Sequence, residues 1–184
     1  MEQQVDNTEK QLFKQTFNNI KNKDSVNYGE ILVSMSFIRD GLTSSKCDRS
    51  NAHNYTSFAI AFATNSKKED KQYCEDVLYN LFIDVLNNEN TSEQTIDIMM
   101  RQLIQNVYPL HGVQTFSISF EKEIFDEIFN KALQHKNINK NIKEYLKTFL
   151  RNTKSNYYGT IYEKLNYVYS EIENIYSLKA LNLD

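Results

Sequence analysis

The chain has 184 residues, a formal net charge of −3, 40% hydrophobic residues, four glycines and one proline. That length suits one domain with a substantial core, and the apolar content argues against a disordered chain. So little glycine and proline excludes a β-sandwich rich in tight turns, and the mild negative charge predicts little general attraction to polyanions.

Hydrophobic periodicity predicts an all-α fold, a compact bundle of seven or eight helices forming one domain over residues 1–184. Residues 8–22 place Leu12, Phe13, Phe17 and Ile20 at helical spacing. Asn27 and Glu30 have capping-box spacing and open a helix bearing Ile31, Leu32, Met35 and Ile38. Residues 43–51 read as a loop. Residues 55–64 are apolar and short, so helix and strand are both open there, and residues 113–120 alternate loosely. One short strand pair near 55–64 and 113–120 is therefore the alternative to an entirely helical chain.

Ser66 to Glu69 spells a capping box, before a helix with Val77, Leu78, Leu81, Phe82 and Val85. Thr91 to Gln94 spells a second, ahead of Ile96, Met99, Met100, Leu103 and Val107. Pro109 and Gly112 interrupt the chain before a helix with Ile124, Phe125, Ile128, Phe129 and Ala132. Residues 138–151 form the next helix, with Ile138, Ile142, Tyr145, Leu146 and Phe149 as its apolar residues. In the last, Tyr158, Ile161, Leu165, Val168, Ile172 and Ile175 recur by threes and fours as a heptad stripe, flanked by Tyr162, Tyr169 and Tyr176. The stripe fits a helix packed along the bundle, or a seam joining a homo-oligomer through 158–176.

Among the cations, Lys136, Lys140, Lys143, Lys147, Arg151 and Lys154 share one helix face. From Lys131 to Lys154 seven basic residues and one acidic residue give a local +6, leaving −9 for the rest of the chain. Such a stripe suits nucleic-acid phosphates, another polyanion or an acidic protein partner, and an exposed helix face is also where lysines ordinarily sit. Lysine lacks the fork with which arginine reads guanine, so sequence-specific recognition is not expected.

No metal or cofactor site is expected. Cys47, Asp48 and His53, or Cys74, Glu75 and Asp76, lie close in sequence but lack the spacing of a four-ligand zinc site. Glu121, Glu123, Asp126 and Glu127 make an acidic helix start, favoured by the macrodipole alone, and His135 near a helix end reads as a cation facing the negative pole. His111 reads as a turn residue. Phosphate-loop, GxSxG, HExxH and kinase signatures are missing, which points away from an enzyme, although Cys–His catalysis from Cys47 or Cys74 stays open because such partners meet only in space.

Two cysteines without a CxxC spacing indicate reduced thiols, the N-terminal residues lack a signal-peptide pattern, and no apolar run spans a membrane. A cytoplasmic protein is expected, intracellular in a host if viral, without a membrane role. The Lys, Asn, Ile and Tyr bias fits an AT-rich genome such as that of a virus, phage or other mobile element.

Val26-Asn27-Tyr28-Gly29-Glu30-Ile31-Leu32, followed by Phe37, resembles the Asn-Trp-Gly-Arg-centred signature of Bcl-2-type apoptosis regulators. In that family the arginine after the glycine pairs with an aspartate of a bound BH3 helix. Glu30 stands there in this chain and would repel it, and residues 1–25 hold one helix where the family has several. A Bcl-2-like regulator is thus the remote alternative. The expectation is a non-enzymatic helical binding protein, an adaptor or inhibitor acting through protein–protein interaction. Tyr157, Tyr158, Tyr162, Tyr169 and Tyr176 are its interface candidates. Nucleic-acid binding through the basic face of helix 138–151 is the alternative.

Overall fold

Asn27 fixes where the first long helix begins: its side-chain oxygen accepts from the Gly29 N–H at 2.7 Å, satisfying a donor that the first turn leaves free. A computed structural model describes residues 11–16, 18, 19, 22, 27–109 and 118–181, with side chains as far as 169 except 160, 164 and 167. Its elements are α1 (residues 11–16), α2 (Tyr28–Thr43), α3 (Arg49–Asn65), α4 (Lys71–Asn87), α5 (Glu93–Val107), α6 (Lys122–Gln134) and α7 (Lys140–Leu181). No strand occurs among the described residues.

The centre of the bundle is α5. Ile96, Ile98, Met99, Met100, Leu103 and Ile104 are buried on nearly every side of it, as befits a helix enclosed by α3, α6 and α7. The other layer is α2, α3 and α4 packed on one another, with α4 also against α6. Ile38, Leu42, Phe62, Leu78, Phe82 and Phe125 fill the core between them.

Several sequence expectations are corrected. Residues 55–64 are helical within α3, because Ala52, Thr56, Ala59, Ile60 and Ala63 bury one helical face, whereas a strand would bury alternate residues. Residues 113–117 and His111 lie outside the described residues, and 118–120 have no regular structure. The loop expected at 43–51 shrinks to 44–48, since Asp48 accepts from the Asn51 N–H at 2.8 Å and starts α3 early. Ser66 does not open α4: its hydroxyl donates to the Ala63 carbonyl at 3.0 Å, ending α3, and α4 begins after Asp70. In the second box the cap is Ser92, which accepts from the Thr95 N–H at 3.1 Å.

The largest correction is at the C-terminal end. The two helices expected there are one, α7, of 42 residues and about 63 Å at 1.5 Å per residue. Between Arg151 and Tyr158 the sequence offers no proline, and Gly159 alone costs about 1 kcal/mol, too little to end a helix already held on a bundle.

Candidate functional site

How α7 is aimed follows from a polar knot before it. The Asn137 amide donates to the carbonyls of Glu89 and Thr91, each at 2.8 Å, and the Asn139 N–H donates to Glu93 at 2.7 Å. His135 is the C-cap of α6 and is buried. Its Nδ1 lies 3.2 Å from the Asn137 N–H, and its Nε2 donates to the Asn88 carbonyl at 3.1 Å. The residue expected to face the negative pole of its helix does end α6, and its ring also bridges two turns. Asn139 then caps α7, accepting from the Ile142 N–H at 3.0 Å.

The first half of α7 lies on the bundle through buried Leu146 and Thr153 and half-buried Ile142, Phe149, Leu150 and Tyr157. The cations run along its flank. Lys136 closes onto Glu89 in an exposed ion pair, and Lys147 meets Glu144 at 2.9 Å. These lysines, by hydrogen bond first and charge second, hold both carboxyls below their ordinary range. The Lys154 ammonium lies over the rings of Tyr108 and Phe125. Lys140, Lys143 and Arg151 have no carboxylate within 4.0 Å among the described residues; Arg151 donates to Thr148 at 3.4 Å. Half of the predicted stripe is thus engaged by the fold.

Tyr157 is the last residue of α7 whose described side chain is not exposed. That ring is half-buried, edge-on to Tyr108 at 5.8 Å, so this interface candidate is part of the packing. Tyr158 still touches Tyr108 at 6.5 Å but is 57% exposed. Every described side chain from Tyr158 to Tyr169 is exposed, the heptad stripe of Tyr158, Ile161, Leu165 and Val168 among them. Tyr162 and Tyr169 are 67% and 65% exposed, and the side chain of Tyr176 lies outside the described residues. Beside them stand Ile161, Leu165 and Val168, also exposed, which the tyrosine-based reading left out although the heptad stripe contains them.

The apolar row is collinear with the cations. Lys140, Lys147, Arg151, Lys154, Tyr158, Ile161, Leu165 and Val168 follow one another by three, four or seven, so they lie on a single face, cationic first and apolar after.

A second feature was not read from the sequence. Gln102, buried on α5 between Ile98 and Leu103, donates to His53 Nδ1 at 2.9 Å and to the His53 carbonyl at 3.1 Å, and accepts from the Ser57 hydroxyl at 3.0 Å. Gln102 and His53 line an open cleft of about 540 Å³ together with Arg49, Arg101, Gln105 and Phe149. Arg101 is paired with Asp97 at 2.8 Å, and neither cysteine lines the cleft. A polar residue amid an apolar helix face was the available signal.

The other grouped residues have local duties. Asp48 caps α3, and Glu75, buried, accepts from the Ser119 N–H at 2.7 Å beside Lys71. Glu127 accepts from the Tyr79 hydroxyl at 3.0 Å, and Asp126 pairs with Lys122 at 3.7 Å. Burial raises the thiols of Cys47 and Cys74, the latter to about 11. Among the described residues no three His, Cys, Asp or Glu side chains gather as a metal site would require, and no helix is long and apolar enough to cross a membrane.

Compared with known proteins, the chain matches no protein family, no curated protein and no solved structure.

Proposed function

We propose that this chain is a non-enzymatic helical binding protein that docks another polypeptide on the exposed face of α7. The bare row of Ile161, Leu165 and Val168 carries the reading. Exposed apolar side chains grouped on one face mark interaction surfaces, whereas scattered ones mean nothing. Tyr158, Tyr162 and Tyr169 beside them are large, rigid and polar-tipped, the properties of interface anchors. The residue bias toward Lys, Asn, Ile and Tyr makes an adaptor or inhibitor of a virus, phage or mobile element the setting we favour.

The test compares the full chain with Leu165→Asp plus Val168→Asp. The reading expects the wild-type chain to retain a polypeptide, its own copy or another, that the double variant loses while its far-ultraviolet spectrum is unchanged. Equal retention by both chains would refute it.

A second reading has its own observation: Lys140, Lys143 and Arg151 are free of carboxylates within 4.0 Å among the described residues and share the same face. It makes the first half of α7 a contact for phosphates or another polyanion.

A further inference from the structure

The helical backbone of α7 continues to Leu181, so positions beyond Val168 follow the same register. With Tyr158, Leu165 and Ile172 at heptad position a, Ile161, Val168 and Ile175 fall at d. Tyr162, Tyr169 and Tyr176 then take three e positions, and Lys164 and Glu171 take successive g positions.

These positions discriminate between arrangements of two such helices. A parallel pair sets each g position against an e position of the other strand, so Lys164 and Glu171 would both face tyrosine and charge would contribute nothing. An antiparallel pair sets g against g and e against e. About a two-fold axis between Leu165 and Val168, Tyr158 meets Ile175, Ile161 meets Ile172, and Leu165 meets Val168, each twice. That register opposes Lys164 to Glu171 on both sides and Tyr162 to Tyr169.

Every apolar position finds an apolar partner, and both charges are matched. Sliding one heptad either way opposes Glu171 to Glu171 or Lys164 to Lys164, so the alternatives are penalised. The next layer outward would oppose Lys154 to Lys179, which ends the seam at Tyr158 and Ile175. This is the self-complementarity that a two-fold interface requires.

We infer that the partner docked on α7 is a second copy of this chain, paired as an antiparallel two-stranded coil over residues 158–175. The inference rests on the docking role proposed above for the same face. Eighteen residues span about 27 Å, short for an isolated coil. Residues 140–157 are already held on the bundle, however, so the costly helix nucleus exists before the copies meet.

Molar mass of the full chain in solution, measured across a roughly hundredfold range of concentration, is the first test. A mass of twice 21.7 kDa is expected at the upper end, reverting to a single chain in Leu165→Asp plus Val168→Asp. Lys164→Glu alone and Glu171→Lys alone each weaken the dimer about tenfold, because two symmetry-related pairs become repulsive, and the double swap restores it. A wild-type chain that stays at the single-chain mass overturns the second-copy inference. If Leu165→Asp plus Val168→Asp still abolishes capture of a different polypeptide in that case, the docking role stands without it. A dimer indifferent to the apolar substitutions is not formed by α7, and one that the double swap does not restore is not antiparallel in this register.

Discussion

The Lys154 ammonium stands 5.0 Å from the centre of the Tyr108 ring, at the point where the cationic half of the α7 face gives way to the apolar half. Phe125 lies under the same charge at 5.6 Å. This lysine covers apolar surface of α6 and the residue after α5 with its stem and its cation. Lys154→Ala is therefore expected to cost about 1 kcal/mol of stability. Lys140→Ala, at an exposed position without a partner ring, changes stability by no more than about 0.5 kcal/mol. Urea midpoints of the two variants, with unchanged slopes, check the contrast.

Binding of a polyanion by the first half of α7 would show its electrostatic origin in salt. Each phosphate neutralised on duplex DNA contributes about 0.9 to the log–log slope of affinity against salt. Lys140→Glu with Lys147→Glu lowers that slope by about 2 if both contact phosphate. Lys136, already closed on Glu89, contributes less than Lys140. Fluorescence anisotropy with a labelled duplex at two salt concentrations reads this directly, and absence of binding at low salt removes the polyanion reading.

The sequence displayed helix faces well and their coverage poorly. Threes and fours among Ile96, Met99, Met100 and Leu103 identify a helix whatever surrounds it, and Asn27, Asp48 and Ser92 cap by short-range hydrogen bonds that local pattern can reveal. Residues 55–64 are ambiguous by pattern because what excludes a strand is tertiary: Phe62 and Ala63 both enter the core, which only neighbouring helices decide. The same limit applies to the site. Spacing put Lys136, Lys147 and Lys154 on one face, but their partners Glu89 and Tyr108 come from distant turns. Likewise the stripe of Ile161, Leu165 and Val168 is identical in sequence whether buried or bare, and the choice depends on where the rest of the bundle stops.

Cys74 makes stability sensitive to alkali. Burial pushes its thiol from an ordinary 9.0 to about 11, with a Ser66 hydrogen bond opposing the rise. Its neutral form is therefore favoured by folding. The contribution is fully present below pH 9.0 and is lost as pH rises toward about 11, because the unfolded chain ionises first. Cys74→Val is expected to flatten that part of the curve. In the native chain at pH 8 the half-buried Cys47 reacts with a thiol reagent well before Cys74, and denaturant equalises the two.

Two glycines should respond to alanine with opposite signs. A Cβ at Gly41 of α2 would lie 2.5 Å from the Tyr55 ring of α3, and a half-buried ring has little room to yield. Gly41→Ala gains up to about 1 kcal/mol of helix propensity but overpacks the contact by about 1–3 kcal/mol, so the net effect is a lower unfolding midpoint. Shortening the opposing side chain with Tyr55→Leu should recover part of the loss specific to that pair, a coupling that a double-mutant cycle measures. At Gly159 a Cβ would meet nothing within 4 Å. Only propensity acts there, and it favours alanine by roughly 0.5–1 kcal/mol. That position lies where the described side chains of α7 become exposed, so the gain falls on the exposed half and barely touches the core. Gly159→Ala should slow hydrogen exchange of amides in residues 160–175 while the unfolding midpoint moves little. Since the glycine loosens the segment that must be rigid to pair, the same variant should also tighten self-association, and an exchange pattern unchanged beyond residue 159 would show that the exposed half was already fully formed.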